Sequence, residues 1–318
     1  MKPVKFPFIS AATALDPASL DVLPTRSAPG GQCAEIRNMD PDNSGGVSTR
    51  TGYGLIQAGA THSGWSNGVN AYCVTGGQLC LFDGTATTPI YTLSTDAPLS
   101  YCQVNRLVVA SNGIDYLVID GSTVTPAQPL SASYKVAPPA GRCLAFYNGR
   151  LYISVGNTLC CTDPYSVDSC DSRQMYLPIT HDAITGLAAV DDGLYIGTTK
   201  ETLFLQGNDP FSDAGMALRQ VNNYSVINRT MLTSNATRFR VAKDFTGAVA
   251  CWASPIGFHL GGNGGATLNL SETMAMPDCE TGASMIREQN GLIHYVAVLT
   301  PGAFHNTYQP PVCDIDEV

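Results

Sequence analysis

Charge is scarce in this chain. Asp, Glu, Lys and Arg make up 14% of its 318 residues, and 26 acids outnumber 17 Lys and Arg, leaving a net charge of −9. A phosphate backbone is bound by a positive surface, so no direct nucleic-acid binding is expected. Long amphipathic helical patterns are missing as well. The clearest helix signal is short, Asp16 to Pro24, with an acid at the N-cap, Pro at the first helical position and Pro as terminator. No run of about twenty apolar residues occurs, so no membrane-spanning helix is expected. The opening segment sets Lys2 and Lys5 ahead of an apolar stretch that Pro7 interrupts, and it is not read as a cleaved leader.

What is plentiful is Gly (31) and Pro (20), which suits many short strands joined by tight turns. The chain also repeats itself. "NGRLYISVGNTLCCTDPYS" (148–166) is echoed by "DGLYIGTTKETLFLQGNDPFS" (192–212). The Leu-Tyr-Ile triplets are offset by 43 residues and the Asp-Pro-aromatic-Ser corners by 46. Tyr152 and Tyr195 should therefore occupy matching strand positions, and Asp163 and Asp209 matching corners, with three extra residues in one inter-strand turn. Weaker copies of the cadence occur at 69–85, 104–123, 246–265 and 287–298, several with Asn-Gly or Asp-Gly steps that supply the positive φ of hairpin turns. A period near forty residues with fixed turn chemistry matches one four-stranded blade of a β-propeller.

The predicted fold is all-β: a propeller of five to six four-stranded blades over residues 53–300. It is preceded by an N-terminal arm and hairpin (1–52) and followed by an acidic tail (301–318). Closure of the ring would pair residues near 52–60 with the last blade near 291–299, because an open ring leaves strand edges free. The turn of the N-terminal hairpin is assigned to "DPDNSGG" (40–46).

Signatures of chemistry are lacking. No G-x-S-x-G elbow and no H-E-x-x-H motif occurs. "GGNGG" (261–265) lacks the Lys-Ser/Thr of a phosphate loop and reads as a wide surface turn, and "DPDNSGG" lacks the Glu that a calcium loop requires. The cysteines number 11, with no Cys-x-x-Cys pair; Cys73, Cys80, Cys102, Cys143 and Cys251 sit in apolar strand patterns, where Cys packs as a small hydrophobe. Cys160 and Cys161 should face opposite sides of a strand, a poor chelate. Cys170 is the one position where a disulfide is allowed, and free thiols in a reducing compartment are the expectation. Trp65 and Trp252 read as inter-blade packing, and His181 as a structural histidine bonding the next blade. No catalytic, cofactor or metal residues are assigned. Arg219, Arg229, Arg238 and Arg240 form a local basic run, a candidate subunit contact on a strand edge.

Residues 33–53, "CAEIRNMDPDNSGGVSTRTGY", resemble a motif of virion proteins of tailed bacteriophages, of the form N-x-D-x-D-x-x-G, basic residues, then Gly-Tyr. Asn38, Asp40, Asp42, Gly45 or Gly46, Arg50, Gly52 and Tyr53 fill it here, with Pro41 and an extra Gly as departures. The resemblance extends over roughly 33–215. It implies a structural subunit of a phage tail, a propeller at the tail tip or nozzle, partnered by copies of itself and by other tail proteins and assembled in the host cytoplasm. It carries over no catalytic residues. The alternatives are a propeller that binds a host receptor or glycan and, behind that, a propeller hydrolase or lyase.

Overall fold

The computed structural model describes residues 59–301 apart from residues 180, 213–214, 240–243, 272–275, 277 and 290–291. It also describes four short N-terminal strands, β1 (Phe8–Ala11), β2 (Gly31–Cys33), β3 (Met39–Pro41) and β4 (Val47–Thr49). Strands β1 and β2 pair in parallel, while β3 and β4 pair antiparallel with Asp40 opposite Ser48, the hairpin expected there. The proposed helix at 16–24, the closing segment 51–58 and the tail beyond 301 lie outside the described residues.

Five four-stranded antiparallel sheets follow in chain order, each a consecutive meander. Blade 1 is β5 (Thr61–Ser66), β6 (Ala71–Thr75), β7 (Gln78–Phe82) and β8 (Thr87–Thr92). Blade 2 is β9 (Ser100–Val104), β10 (Leu107–Ser111), β11 (Tyr116–Asp120) and β12 (Thr123–Pro126). Blade 3 holds a two-stranded ribbon of β13 (Lys135–Val136) and β17 (Cys170–Asp171) beside its own strands. Those strands are β14 (Leu144–Tyr147), β15 (Arg150–Val155), β16 (Thr158–Cys161) and β18 (Tyr176–Pro178). Blade 4 is β19 (Ile184–Val190), β20 (Gly193–Thr198), β21 (Thr202–Gln206) and β22 (Ala217–Asn222). Blade 5 is β23 (Leu232–Asn235), β24 (Ala248–Ser254), β25 (Gly257–Gly261) and β26 (Thr267–Asn269). A longer hairpin, β27 (Cys279–Gln289) and β28 (Leu292–Pro301), ends the described chain. The architecture is the all-β propeller that the repeat predicts, with five complete blades and a two-stranded sixth unit among the described residues.

The core lies between blades rather than inside one sheet. Tyr72, Val74 and Leu79 of blade 1 pack on Val108, Leu117 and Ile119 of blade 2. Val109 and Val118 meet Leu151, Ile153 and Cys160 of blade 3. The opposite faces of the same blade 3 strands, Tyr152, Leu159 and Cys161, meet Leu194, Ile196 and Leu203 of blade 4. Tyr195 and Phe204 then meet Ala250 and Trp252 of blade 5, and Ala253 and Phe258 meet Leu299 of the hairpin. A strand sandwiched this way is buried on both faces, which explains near-continuous apolar runs such as "RLYIS" and "GLYIG". It also explains why Cys160 and Cys161 fall in different clusters, and why the nine described cysteines, Cys170 included, are free and mostly buried. Among the described residues no helix is long and apolar enough to cross a membrane.

Candidate functional site

The two copies of the repeat superpose in role. Tyr152 is the third residue of β15, opposite Ala145 and Cys161; Tyr195 is the third residue of β20, opposite Ala188 and Phe204. Both are fully buried. Asp163 and Asp209 each follow the third strand of their blade and open a four-residue turn: the Ser166 N–H donates to Asp163 O and the Ser212 N–H to Asp209 O. The extra three residues are not in an inter-strand turn, contrary to the sequence expectation. Each tyrosine is nine residues from its partner on the third strand, Cys161 or Phe204, so the hairpins are equal. The difference accumulates beyond Phe204, where β21 runs on to Gln206 before the corner.

What differs between the copies is the partner set. The Tyr195 hydroxyl, pushed to a raised pKa by burial, lies 2.7 Å from Gly262 O and 2.8 Å from Ala266 O, both in the β25–β26 turn of the next blade. The Tyr152 hydroxyl reaches only the Met216 sulfur at 3.8 Å, while Tyr147 donates to Gly207 O at 2.7 Å. In blade 1 the Tyr72 hydroxyl donates to Gly121 O of blade 2 at 2.8 Å. A second-strand or first-strand tyrosine thus ties one blade to the third-to-fourth connection of the next at the 1–2, 3–4 and 4–5 seams. Trp65 stacks on Tyr72 and on Tyr101 of blade 2, and Trp252 packs on Tyr195 of blade 4, the inter-blade role expected for both.

The corner aspartates are likewise served by different cations. Arg150 of β15 is buried, donates to Thr162 O at 2.9 Å, lies 3.4 Å from the Asp209 carboxylate across the seam, and covers the Phe211 ring. The matching position ahead of Asp163 is Leu107 on β10, which has no charge; Lys135 of the β13 ribbon supplies it at 2.8 Å. The hydrogen bond that Lys135 donates to Asp163 raises the Lys135 pKa, and the Arg173 fork holds the neighbouring Asp171 carboxyl well below the usual range. The Asp163 corner carries Tyr165 at φ 59, 85% exposed, with its N–H donating to Gly149 O at 2.6 Å. A bulky residue in left-handed backbone is strained by roughly 1–2 kcal/mol.

The four sequence-flagged arginines do not share one strand edge. Arg219 is exposed on β22, the outer strand of blade 4, over the Phe204 ring; Arg229 sits in the connection between blades 4 and 5. The Arg238 backbone ends a short 3-10 turn after β23, and Arg240 lies outside the described residues. His181 is exposed and lines an open groove of about 400 Å³ with Ile179, Glu201, Leu203, Leu218 and Arg219, instead of bonding a neighbouring blade. Local patterns could not place it, because the groove is made by the outer strands of two blades.

Sequence reading also missed a buried pair. His259 Nε2 lies 2.7 Å from Ser254 Oγ, and its ring stacks on Trp252. Burial pushes His259 down to about 4. Both residues are under 5% exposed, so no substrate reaches them, and Ser254 Oγ is already bonded to the Ile256 N–H and Gly257 O. This is a packed polar contact on one hairpin.

No protein-family model and no curated protein sequence matches the chain. Solved structures similar to it include the extracellular domain of a hybrid two-component system from B. thetaiotaomicron, at TM-score 0.48 and 11% identity, covering 83% of this chain and 35% of that one. Kluyveromyces lactis Hsv2 is similar at TM-score 0.42 and 14% identity, over 71% of this chain and 67% of that one. The N-terminal domain of Nup159 is similar at 0.46 and 9%, over 74% and 72%. The chain spans about a quarter to a third of the two bacterial extracellular-domain chains it matches.

Proposed function

We propose that this propeller is a structural subunit of a bacteriophage tail, which assembles with copies of itself and with other tail proteins in the host cytoplasm and remains in the virion. The observation that carries the proposal is the hairpin β27–β28. Its strands are 11 and 10 residues long, against seven at most in the blades. One face is seated on blade 5 through Tyr295, which donates to Thr230 O, and through Leu299. Met285 and Val298, on the opposite face, are 56% and 68% exposed. A long hairpin with one apolar face in water is suited to burial against another subunit. The motif at 33–53 supplies the virion context, and the proposal assigns no catalytic residue.

The test is composition and position. Mass spectrometry of purified particles and cryo-EM of their tails should show the chain in several copies at one tail level. Particles that are complete without it would end the proposal. A second reading, recognition of a host glycan, is favoured by Tyr165, an exposed aromatic held in a strained turn; in that case the purified chain binds host surface by itself and Tyr165→Ala abolishes the binding.

A further inference from the structure

Among the described residues one pair of cysteines meets across a strand ladder. In the antiparallel pairing of β6 with β7, Cys73 stands directly opposite Cys80. Every other described strand cysteine faces a residue of another type; Cys170, where the sequence allows a disulfide, faces Val136. The hairpin closes through Gly76 and Gly77 at φ 57 and 72, a two-residue turn that fixes the register. Counting outward from that turn, Thr75 and Gln78 form a hydrogen-bonded pair, Val74 and Leu79 a non-bonded one, and Cys73 and Cys80 a bonded one again.

Cα atoms in such a pair lie about 5.5 Å apart, inside the roughly 4.4–6.8 Å that disulfides span. Opposite Cβ atoms stand about 4.5–5.5 Å apart and a bridge needs about 3.5–4.5 Å, so closure asks for an inward shift of about 1 Å. Side chains alternate along each strand. Tyr72, Val74 and Leu79 therefore pack on blade 2, while Cys73 and Cys80 share the opposite face of blade 1. Neither belongs to a cluster that joins blades, so a movement there disturbs no described seam. Both thiols are free; Cys80 is 3% exposed, and Cys73 is partly exposed and gives reagents their entry.

We propose that Cys73 and Cys80 are a modification site, a dithiol that a glutathione-type disulfide oxidises to a cross-strand bridge. The Cys73 thiolate attacks one sulfur of the glutathione disulfide, whose S–S bond breaks and releases one glutathione thiolate. Cys80 gives its proton to solvent and attacks the Cys73 sulfur, and the second glutathione leaves. Two protein thiols are thereby oxidised and one glutathione disulfide is reduced to two thiols. The pair stays open in a reducing compartment and closes in an oxidising medium, where the bridge staples the second and third strands of blade 1.

The test incubates the full chain with oxidised glutathione at about pH 8.5, because burial pushes both thiols up. Free thiols are then alkylated without reduction, and the protein is cleaved between the two cysteines and mapped by mass spectrometry. The wild type should yield the Cys73–Cys80 bridge. Cys80→Ala should retain one glutathione on Cys73, since nothing resolves it, and in Cys73→Ala the buried Cys80 should stay unmodified. Hydrogen exchange of the β6 and β7 amides should slow by about tenfold or more in the bridged protein and recover with dithiothreitol. A wild type whose two thiols are still alkylated, or whose Cys73 keeps its glutathione, overturns the proposal, and neither result depends on a variant folding. A bridge from either cysteine to a third one overturns it as well, and a Cys73–Cys80 bridge that leaves exchange unchanged overturns the staple.

Discussion

Replacing Tyr195 by Phe and, separately, Tyr152 by Phe separates what the repeat conserves from what it does not. The two rings fill matching core positions, so loss of the oxygen leaves packing equal in both variants. The consequences for polar groups differ. Ala266 O keeps a partner without Tyr195, because it also accepts from the Gly262 N–H at 2.8 Å. Gly262 O, at 2.7 Å from the hydroxyl, loses the donor described for it. An acceptor left unpaired at a buried seam costs about 1–3 kcal/mol. The Tyr152 hydroxyl gives up only a 3.8 Å contact to the Met216 thioether, a weak acceptor, at about 0.5 kcal/mol or less. At roughly 2–4 °C per kcal/mol for chains of 150–250 residues, and less for a longer one, Tyr195→Phe should melt about 2–5 °C low and Tyr152→Phe within about 1 °C of wild type. Differential scanning calorimetry, with urea titration to confirm an unchanged slope, reads both. If Tyr152→Phe costs as much as Tyr195→Phe, ring position rather than the cross-seam acceptor sets the energy, and the account of the seams is wrong.

Other outcomes follow from the same geometry. His259 is neutral and buried with its pKa lowered to about 4 from 6.5, so its contribution is fully present above pH 6.5 and is lost as pH falls toward 4. It amounts to no more than about 3 kcal/mol at 1.36 kcal/mol per unit; melts from pH 7.5 to 4 should fall less steeply for His259→Gln. Tyr165→Gly should leave stability unchanged or raise it by up to about 1 kcal/mol, since relief of left-handed strain outweighs the entropy of glycine; a loss above 1 kcal/mol in urea titration would refute that. Burial raises Cys251 and Cys161 to about 12. Alkylation followed by mass spectrometry at pH 8 should therefore leave both unlabelled in the native protein and label them in urea; rapid native labelling would show that these blades open.

The blades were legible in the sequence because their signals are local. A two-residue turn such as Asn148-Gly149 or Gly76-Gly77 announces itself through residues that tolerate positive φ, and all but Asn148 of these are glycines. The register of Tyr152 and Tyr195 followed from the same cadence. Partners across a seam were not legible, because they lie far along the chain: Tyr195 meets Gly262, and Asp191 accepts from the Ala248 N–H. Arg229 was noticed as one of a basic run, but the bond its N–H makes to Thr185 O was not, because Thr185 lies more than forty residues earlier in the chain. His181 was misjudged for the same reason: its surroundings are assembled from β18, β21 and β22, not from its neighbours in sequence.

The unequal corners show what repetition constrains. Asp163 and Asp209 share a backbone turn, so the corner is set by Asp-Pro geometry within the blade. Their cations come from elsewhere and are not interchangeable. Asp209 takes Arg150 from the preceding blade at 3.4 Å, with a side chain 43% exposed. Asp163 takes Lys135 from an inserted ribbon at 2.8 Å, with a side chain only 14% exposed. A carboxylate that buried needs a close partner, whereas one half in water does not. Where the preceding blade has Leu107 instead of an arginine, the ribbon β13–β17 supplies the cation, Lys135. Insertion of a ribbon and burial of its aspartate therefore go together: Asp163→Ala should cost more stability than Asp209→Ala, and Lys135→Met should lower stability in the wild type but not in the Asp163→Ala background. A Lys135→Met penalty that persists undiminished without Asp163 would mean that the ribbon is held by Asp171 and packing, and that the corner aspartate is incidental to it.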